Sequence, residues 1–184
     1  MGSRDNDTPV RLAVLEDEQV AAFRAFQRPR TVEDAALSAD PDAVSALGSD
    51  LNADLSRRVY AGREGTIDLV PGPGSVCCIV TVTGTGERIS GTTSTELAAR
   101  GAHGFTSGRL GEPALLRGVL STGVRSLRIV TASGDTLTAA VNADDAYWMT
   151  IADPVTQTLT LQDGTERVIP FSRFRLREPP AGSA

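Results

Sequence analysis

Cys77 and Cys78 are the only cysteines of this chain and His103 its only histidine. A thiolate is a nucleophile and a redox centre, so either cysteine is a candidate reactive thiol. The bland alternative is one buried and one near-surface thiol in a sheet. Neighbouring residues on a strand point to opposite faces, and a disulfide between them would be strained. With one histidine and no further thiol, metal binding lacks ligands. His103 lies in Gly101-Ala102-His103-Gly104, which reads as an exposed loop carrying a solvated imidazole. A triad assembled across the fold with a Ser and an Asp is the alternative reading. Gly118-Val119-Leu120-Ser121-Thr122-Gly123 has the wrong spacing for a nucleophile elbow and reads as a turn between strands. Gly84-Thr85-Gly86 leads into Glu87-Arg88-Ile89-Ser90 and completes neither a dinucleotide fingerprint nor a phosphate loop. Asp144-Asp145 is a carboxylate pair in a turn, far short of a Ca²⁺ cage. Tyr147-Trp148-Met149 is the most notable apolar cluster. On a strand Trp148 faces opposite to its two neighbours, so these residues form either core or an aromatic surface that anchors a partner.

These residues need elements to hold them. From Arg117 to Pro170 the chain reads as short strands joined by tight turns. In Val124–Thr131, Leu127 and Ile129 share one face while Ser126 and Arg128 point the other way, the period of a half-buried strand. Ala132-Ser133-Gly134-Asp135 is a turn, and a return strand is expected over Thr136–Val141. Gln162-Asp163-Gly164-Thr165 separates two apolar runs and predicts a hairpin with a type I′ turn. Pro170 cannot donate to a ladder, so its strand ends there or lies at an edge. Upstream, Val59-Tyr60 is expected to pair with Ile67–Val70, Pro71-Gly72-Pro73-Gly74 is a hard turn, and Val76–Thr83 is a strand buried on both faces. Gly84 to Gly111 reads as a loop or link with one helical turn at Glu96–Ala99.

Ahead of the strands, an amphipathic helix is expected over Leu15–Gln27, with Leu15, Ala22, Phe23 and Phe26 on one face and Gln19 as its polar exception. Pro29 stops it. Thr31 with Asp34 resembles a capping pair, and Asp40-Pro41 reads as an N-cap followed by a first-turn proline. The fold class is α+β, mainly β: short N-terminal helices, then antiparallel sheet, with a β-sandwich-like C-terminal part. The expected organisation is a flexible arm at 1–14, a helical segment at 15–56, a β-rich part at 57–110, a β-sandwich-like module at 111–177 and a disordered tail at 178–184.

The chain has 184 residues and a net charge of −5, with all 18 basic residues arginine. No basic stripe is interleaved with aromatics, which argues against nucleic acid as a partner. No stretch approaches the ~20 apolar residues of a membrane span, and the polar start lacks the apolar core of a signal peptide. A cytoplasmic location is the expectation.

Phe26-Gln27-Arg28-Pro29-Arg30-Thr31 followed by Asp34-Ala35-Ala36-Leu37 resembles the opening of a group of uncharacterised actinobacterial proteins. The resemblance continues through Ser56-Arg57-Arg58-Val59, Ile67–Gly72, Ser75-Val76-Cys77 and the Gly118–Gly134 hairpin module. It covers most of the chain in short motifs, none of them catalytic. It implies a helical segment before a β-sandwich-like module and carries no activity. The resemblance implies that relatives often carry a membrane anchor or signal before this region and a second Cys after the first strand pair; here no anchor is expected, and Ser90 or its neighbours stand where that Cys would be expected. On these grounds the leading expectation is a non-enzymatic module that binds another protein. A small-ligand or carbohydrate-binding β-domain is the alternative, and an enzyme using Cys77, Cys78 or His103 comes third. No cofactor is expected.

Overall fold

The computed structural model describes residues 14–107 and 113–171. The expected arm up to residue 13 and the tail from 178 lie outside them. The protein is mainly β, with 11 strands among the described residues arranged in three antiparallel sheets. In the first sheet, β1 (Arg57–Ala61), β2 (Gly65–Gly72), β3 (Ser75–Val82) and β4 (Arg88–Ser94) follow one another as a meander. A second sheet holds β5 (Ala102–Ser107), β6 (Ala114–Leu120) and β9 (Ala146–Ile151) in the order β5-β6-β9. The third places β7 (Val124–Thr131), β8 (Thr136–Thr138), β10 (Pro154–Leu161) and β11 (Glu166–Pro170) in the order β11-β10-β7-β8. β5 and β6, on either side of the boundary expected near residue 110, are paired neighbours in one sheet.

Strand alternation decides how the layers stack. Val59, Ile67, Leu69, Val76, Cys78 and Val80 of the first sheet meet Val119, Ala146, Phe105 and Trp148 of the second. The opposite face of the second sheet, with Leu116, Leu120, Tyr147, Met149 and Ile151, packs on Leu127, Ile129 and Leu159 of the third. The outer face of the first sheet turns Val70, Cys77 and Ile79 towards Leu37, Ala43, Leu47 and Leu51 of the helical segment. β3 is therefore buried on both faces, as its continuous apolar run requires.

The helix expected over 15–27 is broken into α1 (Asp17–Ala22) and α2 (Arg24–Gln27) by an extended Phe23, with φ −132° and ψ 128°. Leaving the helix lets Phe23 bury its ring fully, edge-on to Phe26 and His103, so core packing outweighs helix propensity. Gln19, the polar exception, is fully buried and donates from Nε2 to the carbonyls of Gly72 at 2.7 Å and Ser75 at 2.9 Å. It ties α1 to the Pro71–Gly74 turn. Asp40 caps α3 (Pro41–Ala46) by accepting from the Asp42 and Ala43 amides.

The region expected as a link between Gly84 and Gly111 contains β4, α4 (Thr95–Ala98) and β5. Its Thr, Ser and Gly residues carry little hydrophobic period, and the pairing with β3 and β6 specifies the strands instead. The return strand expected to reach Val141 stops at Thr138, and Asn142 then accepts from the Asp144 and Ala146 amides to turn the chain. In the β10–β11 hairpin Gly164 alone has positive φ, 85°, with Gly164 N–H bonded to Leu161 O and Leu161 N–H to Thr165 O. That is a type I turn closed by a left-handed glycine, not the type I′ turn expected.

Candidate functional site

Both candidate thiols are buried at 3% exposure, Cys77 beneath the helical segment and Cys78 in the core between the first two sheets. Burial pushes both thiols up, away from the thiolate. The near-surface thiol of the bland reading is absent, and neither has the electropositive, accessible setting of a reactive cysteine. His103 sits on strand β5, not in a loop. Its Nε2 lies 3.2 Å from Ala98 O and its ring packs edge-on to Phe23 at 5.5 Å. Burial pushes its pKa down, against the bond to Ala98. Gly118 to Leu120 belong to β6, so only Ser121-Thr122-Gly123 forms the turn expected there. Among the described residues no group of three or more His, Cys, Asp or Glu could hold a metal.

Tyr147, Trp148 and Met149 do not make one surface. Tyr147 and Met149 enter the core between the second and third sheets, while Trp148 points into the other. Trp148 is half-buried, stacked on Tyr60 at 5.3 Å with the Arg117 guanidinium 5.6 Å from its ring centre. Gly65 makes room for it: a Cβ there would stand 2.7 Å from Trp148 Cη2 and 2.1 Å from Thr81 O. Arg117 is 1% exposed and donates to Ser107 Oγ at 2.8 Å, while its Nε and Trp148 Nε1 have no hydrogen-bond partner among the described residues. Burial lowers its pKa. A charged residue interrupting the run Leu115 to Leu120 was the signal for this buried cation.

Asp144 and Asp145 are taken up by α2 and its C-terminal end. Arg24 Nε reaches Asp145 at 3.0 Å, and Arg28 bridges Asp144 to the fully buried Asp34. Asp34 accepts from Arg28 Nη1 at 2.7 Å, Arg28 Nη2 at 3.0 Å, and the amides of Thr31 at 2.6 Å and Arg58 at 2.7 Å. Burial alone would raise the Asp34 pKa; Arg28 and the two amides outweigh it and lower it to about 2. Next to it, burial raises Asp68 despite its ion pair with Arg58.

This cluster has a consequence for the sheet edges, where unpaired backbone groups can recruit another strand. On β1 the outward N–H of Arg58 is taken by Asp34, its C=O by Arg28 Nη2, and Val59 O by Asn142 Nδ2. On β11, Phe171 N–H bonds Val155 O, so antiparallel alternation turns residues 166, 168 and 170 outward. Pro170 therefore removes a donor from that open edge. β8 is only three residues long.

Among the described residues, β4 has no such protection. Val82 N–H bonds Glu87 O and Thr95 N–H bonds Gly74 O, which fixes the alternation along the β3–β4 register. Ile89, Gly91 and Thr93 bond to β3, and Arg88, Ser90, Thr92 and Ser94 turn their N–H and C=O groups outward. All four are exposed. β5, fixed in the same way by Ser121 N–H to Gly101 O, offers three outward positions, at Ala102, Gly104 and Thr106. No family model, no curated protein and no solved structure matches the chain.

Proposed function

We propose that this chain is a non-enzymatic interaction module that takes up an extended segment of another protein as a fifth strand of the first sheet, along β4. The observation that carries this reading is the contrast between edges: β1 is covered, β11 carries an outward proline, and among the described residues β4 exposes four outward backbone positions without either device. Strand addition draws its affinity from main-chain hydrogen bonds and its selectivity from alternate side chains. The burial of Cys77 and Cys78 and the packing of the half-buried His103 against Phe23 and Ala98 O favour binding over catalysis.

A proline at an outward position removes an edge donor without touching the bond to the neighbouring strand, as Pro170 does. Tagged protein is used to capture partners from its host, comparing the wild type with Thr92→Pro and, as a control, Val168→Pro on β11. The expected result is a specific partner lost with Thr92→Pro and retained with Val168→Pro, with thermal unfolding of both variants near the wild type. A partner retained equally by folded Thr92→Pro sinks the reading.

A further inference from the structure

At the C-terminal end of β4, Ser94 and Thr95 open onto a hollow of about 560 Å³ between α1 and α4. Ala21, Ala22 and Ala99 line it, and Glu16, Glu18 and Glu96 bring three carboxylates against the single guanidinium of Arg100. Glu16 is engaged with the Gly74 amide, at 3.0 and 3.2 Å. Glu18 and Glu96 are exposed, and among the described residues neither has an ion pair. A second, independent feature marks the same place. Thr95 lines the hollow, is 4% exposed, and among the described residues its hydroxyl has no hydrogen-bond partner. A buried hydroxyl is ordinarily paired.

We infer that this hollow receives a basic side chain carried at the end of the partner segment that pairs with β4. The inference rests on the strand-addition reading for its partner and on the hollow for its chemistry. The carboxylates of Glu18 and Glu96 meet the cation and the alanines cover its aliphatic stem, in the same hollow that Thr95 lines. A long basic side chain suits such a site because its stem buries while its charged head stays among acceptors. A net charge of −5 favours encounter with a basic segment in the same sense.

Three capped hexapeptides of alternating Thr and Val serve as probes: one with Arg first, one with Arg last, and one without Arg. Binding is read by fluorescence anisotropy at low salt. One Arg peptide is expected to bind about tenfold tighter than the Arg-free peptide, and the advantage should vanish in the Glu18→Gln/Glu96→Gln double variant. Arg peptides that bind no better than the Arg-free one overturn the inference and leave strand addition standing. A second titration separates the two readings if no peptide binds: agmatine is added to the wild type, the double variant and Thr92→Pro, following the Thr95 and Ala99 amides by NMR. Saturable shifts in the wild type and in Thr92→Pro, absent from the double variant, support the hollow as a cation site even if strand addition fails. Unmoved amides in the wild type overturn it.

Discussion

Asp34 uses its acceptor capacity within the protein, and its removal isolates Arg28 from one carboxylate and the Arg58 amide from its acceptor. Breaking a buried pair by deleting one partner costs about 3–5 kcal/mol, so Asp34→Ala should show that loss in urea unfolding. Its protonation gives a separate test. The folded pKa, about 2, lies below the ordinary 3.8, so the folded state prefers the ionised carboxylate. The resulting stability, about 2 kcal/mol, is fully present above pH 3.8 and is lost as pH falls through 2. Asp34→Asn should flatten the fall in stability between those limits; an unchanged slope would remove Asp34 from the acid response. The thiols are tested at the same scale. Native protein at pH 8 should react with an aromatic disulfide reagent at least ~100-fold more slowly than unfolded protein, as expected for thiols reached only by opening. Reaction of the native form at the unfolded rate would restore the reactive-cysteine reading.

At the scale of elements, Gln19 holds α1 to the first sheet through two carbonyls of the β2–β3 turn. Gln19→Ala leaves Gly72 O and Ser75 O without that donor and should cost about 1–3 kcal/mol in chemical unfolding; Gln19→Glu should cost at least as much, because a carboxylate cannot donate. A loss near zero would mean that water replaces the amide freely. Gln19 was legible in sequence as a polar residue on an apolar helical face, although its partners were not. The strands with alternating or continuous apolar character, β2, β3, β7 and β10, were legible for the same reason, as was the edge position of β11 from Pro170. β4 and β5 were not, because Thr, Ser and Gly give no period until β3 and β6 align them. The break at Phe23 was hidden too, since only the buried slot beside Phe26 and His103 rewards it. The candidate edge inherits this difficulty: an open edge is defined by what fails to pair, and a linear sequence carries no sign of it.

Across the whole molecule, the layers run from the helical segment through the first, second and third sheets, and the two sides of the first sheet are treated differently. On the β1 side, Arg28, Asp34 and Asn142 cover the backbone and join the helical segment to the β8–β9 connection. On the β4 side the backbone is exposed beside an acidic hollow. Among the described residues no helix is long and apolar enough to cross a membrane. The most direct measurement is residue-resolved amide hydrogen exchange, first on the free protein and then on its complex with the captured partner. In the free protein the amides of Arg88, Ser90, Thr92 and Ser94 should exchange fast while those of Ile89, Gly91 and Thr93 are protected. In the complex the first set should gain protection, with Glu166 and Val168 unchanged. New protection confined to other surfaces, with the β4 amides still exchanging fast, would contradict strand addition at β4.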